Sequence, residues 1–420
     1  MTYHNATKFL RNAPDEIAEA TAGKRLRNFL SAMGNPQKKQ TYFRITGCSG
    51  KTVCSKMLTS IFRHTPYTVG CLTMPLRDDV RENILINHTP ISIAEVEELI
   101  GEVYTLLKAL NKKTPSEDGS TEYTPIVLTK YEILLCTALL AFAKHGCQLC
   151  IIESGNIPCD PTRHLPAPIA AAICGTIPSQ NPKNIQQIRS YLCHGIQEIV
   201  SAPQDQDAYH VISQTCASIN CRLTIPTKAE LTLLKSSLGG SEFSYRKKTY
   251  KLSLCGEFQI TNAIVTLEIL RMLSRHGFSV DDSAVQAGLQ ELKLICKLEI
   301  LSISPTIIAD STHSPEAIET VCRSLAEFRN QIGSRISLCL PDITLAAQYE
   351  TALKTNGFEV ETVLLHGVEN TQESYISYVR IKDTVAHIRK NADSNEVWLI
   401  SGPHPFTAKL RYELLQAMGF

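Results

Sequence analysis

Gly47-Cys48-Ser49-Gly50-Lys51-Thr52 places two glycines, a lysine and a hydroxyl in one short loop. Backbone N–H groups of such a loop can cradle phosphate, and a following helix N-terminus adds partial positive charge. The Lys51 ammonium would bridge outer phosphates, and the Thr52 hydroxyl would offer oxygen to Mg²⁺. Only two residues separate the glycines, fewer than in a full Walker A loop, so a glycine-rich turn at a strand end is the competing reading. Glu153 closes an apolar run over 147–152. An acid there lies at the sheet edge where open α/β sheets bind ligands. It suits Mg²⁺ held directly or through water, or else is a solvated strand-end residue. Asp310-Ser311-Thr312-His313-Ser314-Pro315 follows another apolar run. Asp310 and His313 suit ribose hydroxyls or phosphate, although alone the segment reads more simply as a helix N-cap with a surface histidine.

These residues need elements to hold them. Residues 40–46 read as a strand. Residues 53–63 read as a helix, because Val53, Met57, Leu58, Ile61 and Phe62 share one face. Residues 1–35 read as helical, 111–124 as a polar loop and 130–144 as a strongly apolar helix. Residues 147–152 and 169–174 read as buried parallel strands. The pattern changes over 239–254, where Phe243, Tyr245, Tyr250, Leu252 and Leu254 alternate around polar residues. That predicts a hairpin, and a helix follows over 259–276. After Cys296 a fresh alternation begins, with strands predicted at 298–303, 305–310, 335–340, 359–365 and 396–401. Strands alternating with helices argue for an α/β fold with mainly parallel sheet, and the boundary between two domains, 1–296 and 297–420, is placed near residue 297.

Composition narrows the function. The 420 residues are 43% hydrophobic and 20% charged, so the chain is not largely disordered. A net charge of +1 supplies no global field for nucleic acid or an anionic membrane, so a polyanionic ligand must be held by a local patch. The apolar stretches are too short or too interrupted for a membrane span, and the N-terminus lacks a signal-peptide core. Fifteen cysteines scattered through apolar runs read as buried free thiols of a cytoplasmic protein, with no zinc-site spacing.

The order of the motifs resembles the folylpolyglutamate synthase and dihydrofolate synthase family of the Mur ligase superfamily, nearly end to end. The residues that carry the likeness are Gly34-Asn35-Pro36-Gln37, Thr46 to Thr52, Arg81-Glu82-Asn83-Ile84 with Pro90-Ile91-Ser92, and Thr129-Lys130-Tyr131-Glu132. They continue with Ile152-Glu153-Ser154-Gly155, Gly256-Glu257-Phe258-Gln259 with Asn262-Ala263, Lys297-Leu298-Glu299, and Asp310 to Pro315. The resemblance implies a Mur-ligase-type P-loop domain plus a smaller C-terminal Rossmann-like α/β domain. It implies ATP-dependent ligation of L-glutamate to a folate or dihydropteroate through an acyl phosphate, with closure of the C-terminal domain to exclude water.

By the same resemblance, ATP would meet Gly47, Cys48, Ser49, Gly50, Lys51 and Thr52, with Gln259, Asn262, Lys297, Asp310 and His313. Lys51, Glu153 and His313 would be catalytic, and Thr52, Glu153 and Gln180 would hold Mg²⁺. The protein is expected to act as a cytoplasmic monomer without nucleic-acid or membrane partners. Departures from the family pattern include Gln180 for a metal-binding His, Cys193 for a carboxylated Lys and Lys297 for the usual Arg. The Gln180 amide oxygen suits Mg²⁺, whereas Cys193 cannot carry a carbamate. Two rival readings follow: a ligase for another amino acid and carboxylate, or a nucleotide-binding paralogue without turnover.

Overall fold

Continuous apolar runs form the inner strands of the first sheet. Strand β1 (Tyr42–Gly47) is buried along its whole length. So are β2 (Val69–Leu72), β5 (Leu149–Glu153) and β6 (Ala170–Cys174), as strands covered on both faces require. Short outer strands complete the sheet: β3 (Ile84–Ile86), β4 (Thr89–Pro90), β7 (Glu198–Ser201) and β8 (Arg222–Thr224). The order is β4-β3-β2-β5-β1-β6-β7-β8. Strands β2, β5, β1, β6, β7 and β8 run parallel, and β3 and β4 are antiparallel at one edge. This computed structural model describes residues 1–17, 19–112, 125–154, 160–177, 192, 195–367, 375–391 and 396–419.

The chain forms two compact units. The first comprises Met1–Lys228 with Thr261–Leu289, and the second Ala229–Ile260 with Gln290–Phe420. Residues 282–291 form a helix whose Gly288 carbonyl accepts from Ser60 Oγ at 2.8 Å, which ties that helix to the first unit. The second unit holds two sheets. One is β11 (Lys248–Leu252), β10 (Gly240–Tyr245) and β9 (Leu231–Ser237), in that order and antiparallel. The other runs β12 (Glu299–Ile303), β13 (Thr306–Asp310), β17 (Val397–Ser401), β14 (Arg335–Leu340), β15 (Glu359–His366) and β16 (Ile376–Tyr378). Only the β12–β13 pair of this sheet is antiparallel. Leu238, Cys255 and Phe258 pack into the core around Ile308, Ile336 and Leu399. That packing places residues 229–260 with the C-terminal sheet, whereas the sequence reading divides the chain once, at 297.

Helices begin where their side chains satisfy free N–H groups. Helix α1 (Tyr3–Asn12) is capped by Thr2, and α2 spans Glu19–Ala32. Helix α3 (Lys51–Phe62) starts directly after Gly50, two residues before the apolar face at Val53 suggests. Helix α4 (Ile93–Asn111) opens with a Ser92/Glu95 capping box, and α5 (Lys130–Lys144) with a Thr129/Glu132 box. The predicted loop at 111–124 starts later than expected because α4 runs through Asn111; residues 113–124 lie outside the described residues. The predicted hairpin gains a third strand, β9. Its Leu233 and Leu234 are exposed, so it lacks the alternation that marks a half-buried strand. Among the described residues no helix is long and apolar enough to cross a membrane.

Candidate active site

The carboxyl ends of β1, β5 and β6 bring the first set of candidates together. Register pairs Ile45 with Glu153 and Gly47 with Cys174, so the loop after β1 and the acid closing β5 share one sheet edge. Gly47 has φ 127°, and a Cβ there would overlap the Cys174 carbonyl oxygen, so only glycine fits. Gly50 has φ 74° and caps α3; a Cβ would stand 2.5 Å from Asn262 Oδ1. Cys54 Sγ, one turn into α3, also donates to the Asn262 carbonyl at 3.7 Å. The structure thus sets Asn262 against the loop.

Lys51 Nζ donates to the Gly47 carbonyl at 2.5 Å, which folds the ammonium back over its own loop. Cys48 is half-buried, with its thiol raised by burial against the opposing charge of Lys51. Ser49 is exposed at the loop tip. Thr52 Oγ1 donates to Glu153 Oε2 at 3.1 Å, and the Met74 N–H reaches the same oxygen at 3.3 Å. Glu153 is completely buried, which rules out a solvated strand-end acid. Its other oxygen, Oε1, has no hydrogen-bond partner among the described residues. Burial raises its pKa, opposed by Ser55, the Met74 N–H, the Lys51 charge and Thr52. A buried carboxylate oxygen left open beside a threonine hydroxyl is a hard-oxygen pair that fits Mg²⁺. Gln180 and Cys193 lie outside the described residues. Among those described, no cluster of three or more His, Cys, Asp or Glu forms a metal site.

Supporting contacts explain why this edge is ordered. Asn83 is buried; its Nδ2 donates to the carbonyls of Thr73 and Pro75, both at 2.8 Å, and its Oδ1 accepts from the Arg77 N–H at 2.8 Å. These bonds hold the segment that carries the Met74 N–H. Glu132 accepts from the Thr129 N–H at 2.8 Å and from Arg25 at 2.6 Å, which anchors the start of α5.

In the second unit, β13 ends at Asp310, whose carboxylate is buried and accepts from the Leu298 N–H at 2.7 Å. Burial raises its pKa against the nearby Lys297 charge. Its Oδ1 has no partner among the described residues. Lys297 is exposed between Cys296 (φ 53°) and Leu298 (φ 47°), two left-handed residues. Glu299 holds this turn by accepting from the Cys296 N–H at 2.9 Å, and Arg411 clamps Glu299 with bonds of 2.7 and 2.6 Å. The Thr312 carbonyl accepts from Ser401 Oγ at 3.0 Å, and Ser401 pairs with buried Tyr349 at 2.6 Å. His313 stands exposed just beyond, with Nδ1 3.3 Å from the Ser311 carbonyl. The cap of the following helix is Ser314, not Asp310. Gln259 is buried in the first turn of the helix Glu257–Arg275.

No family model matches the sequence. Among curated proteins, the dihydrofolate synthase/folylpolyglutamate synthase of Bacillus subtilis is 25% identical over 421 residues, spanning 93% of this chain and 94% of that protein. The folylpolyglutamate synthase of Lacticaseibacillus casei is 21% identical over 360 residues, 83% of this chain and 82% of that one. The chain is similar to these synthases over most of its length. The solved folylpolyglutamate synthetase of Lactobacillus casei shares the fold with a TM-score of 0.80 at 18% identity, over 99% of this chain and 100% of that one. The Thermotoga maritima synthase gives 0.79 at 20% identity, over 99% and 97%.

Of the residues singled out in the sequence, the structure brings the Gly47–Thr52 loop, Glu153 and Asn262 together, and sets Lys297 near Asp310. The sequence reading missed Arg411, which stands between Lys409 and Glu413 on the C-terminal helix His404–Met418 and belongs to no local motif. It also missed Lys56, one turn along α3 from Thr52, whose charge is disfavoured by burial and by Arg77 and favoured by Glu82 and Glu153.

Proposed function

We propose that this chain is an ATP-dependent carboxylate–amine ligase joining L-glutamate to a folate or dihydropteroate. The observation that carries the reading is Glu153: a wholly buried acid with one oxygen on Thr52 and the other open, beside the Lys51 loop. Relatives named as folylpolyglutamate and dihydrofolate synthases align over most of the chain, and a solved FPGS complex of the same fold holds AMPPCP and folate. In the proposed reaction, the terminal phosphoryl group of ATP passes to a substrate carboxylate, giving an acyl phosphate and ADP. The glutamate amine then attacks the acyl carbon, phosphate leaves, and an amide remains.

The loop N–H groups and Lys51 bind and neutralise the outer phosphates. Thr52 and Glu153 would hold Mg²⁺, with Gln180 as a further oxygen ligand. When bound, the ion neutralises triphosphate charge and orients the transferred group. By resemblance, Gln259, Asn262, Lys297, Asp310 and His313 are the further residues proposed to meet the nucleotide. In functional terms, the unit of Met1–Lys228 with Thr261–Leu289 would bind ATP through its loop, and the unit of Ala229–Ile260 with Gln290–Phe420 would be the glutamate-ligase domain. The setting is the cytoplasm, and the acting species is a monomer that needs no nucleic acid or membrane. The test is incubation with ATP, Mg²⁺, glutamate and either dihydropteroate or tetrahydrofolate, with the product read by mass. One added glutamyl residue is expected; unchanged substrate under all conditions contradicts the proposal.

A further inference from the structure

The helix Gln206–Ser218 ends in a turn closed by main-chain bonds. The Ile219 N–H donates to Thr215 at 3.2 Å, Asn220 to Ala217 at 3.2 Å, and Cys221 to Cys216 at 2.8 Å. Asn220 is left-handed, with φ 54°. A bond reaching back five residues around a left-handed residue is the Schellman arrangement, which brings the side chains at its two ends together. Here both ends are cysteines. Bond lengths along Cα–N, N···O and O=C–Cα cap their Cα separation at about 6.7 Å. That lies inside the roughly 4.4–6.8 Å that a disulfide spans. Both thiols are free, and Cys221 Sγ donates to the Arg222 carbonyl at 3.8 Å.

Cys221 is partly exposed, whereas Cys216 is buried at 2% exposure and can be approached only from the cavity side. Cys216 and Cys221 line a cavity of about 750 Å³, together with Tyr209, Ser213, Leu223 and Lys228. Cys54 and Cys174 form a second pair of neighbouring thiols, but both are completely buried. The first pair therefore differs from the second in lining a cavity and in the partial exposure of Cys221.

We propose that Cys216 and Cys221 are a peroxide-reactive dithiol site that closes to an internal disulfide. The neighbouring Cys221 thiol lowers the Cys216 pKa while its own is raised, so Cys216 is the attacking and Cys221 the resolving sulfur. The Cys216 sulfur bonds to one peroxide oxygen, the O–O bond breaks, and hydroxide leaves as water with a proton. The Cys221 sulfur then attacks the Cys216 sulfenic acid: S–S forms, S–O breaks, and a second water leaves with the Cys221 proton. Two thiols are oxidised by two electrons, and hydrogen peroxide is reduced to two waters.

The test treats the full reduced chain with limiting hydrogen peroxide, alkylates the remaining thiols, and maps peptides by mass. The proposal expects the peptide ending at Arg222 to lose two hydrogens and two alkylatable thiols, at Cys216 and Cys221, while Cys54 and Cys174 stay alkylatable after unfolding. Cys221→Ser should leave a sulfenic acid at Cys216 that dimedone traps, and Cys216→Ser should leave Cys221 unoxidised. Oxidation elsewhere with both thiols still alkylatable would overturn the proposal. So would a Cys221→Ser protein with no dimedone adduct at Cys216. The wild-type map decides the matter even where a variant folds poorly.

Discussion

Glu153 has been taken out of water with only one of its oxygens hydrogen-bonded among the described residues. Such burial is costly for a carboxylate unless a cation or donor completes its shell. On the proposed reading Mg²⁺ completes it, so Glu153→Gln should weaken the magnesium dependence of turnover far more than metal-free nucleotide binding. Magnesium titrations of both proteins check this, and superimposable curves would reduce Glu153 to a packing residue. Lys51 acts on the other side of the same loop. Its ammonium rests on the Gly47 carbonyl, close to where a phosphate would displace that contact. Lys51→Ala should leave the fold intact and slow ligation by about 3–4 kcal/mol of lost transition-state stabilisation. Turnover and circular dichroism measured on the same preparation would separate lost chemistry from lost structure.

Elements set where these residues point. Strand β1 and helix α3 were legible because a continuous apolar run and a one-sided apolar face leave strong periodic signals. The strands β3, β7 and β8 were not, because three or four residues are too few to show a period. The Cys296–Glu299 turn is a different failure. Its left-handed residues are held by Glu299, and Glu299 by an arginine 112 positions away, so nothing local announces the turn. Arg411→Gln should release this turn, lower stability by about 1.5–3 kcal/mol as a charged hydrogen-bonded pair is lost, and raise the KM for ATP through misplaced Lys297. Arg411→Lys should restore part of both. A melting scan beside ATP kinetics checks the pair of effects; a lowered melting temperature with unchanged KM would make the clamp purely structural.

At the scale of the whole chain, the α/β class and the parallel character of both main sheets followed from strands alternating with helices. The grouping of residues 229–260 with the C-terminal sheet did not. It rests on Leu238, Cys255 and Phe258 meeting a core assembled from residues 298–399, a long-range match that no window of sequence contains. The likeness to the synthases was legible because short motifs at strand ends, such as Thr46 to Thr52 and Asp310 to Pro315, keep their order along the chain. The central claim is that ATP activates a carboxylate as an acyl phosphate. Oxygen-18 placed in the carboxylate of dihydropteroate or of a folate, followed by ligation with ATP and glutamate, tests it most directly. The account predicts one labelled oxygen in inorganic phosphate for each amide formed; amide formed with unlabelled phosphate would contradict it.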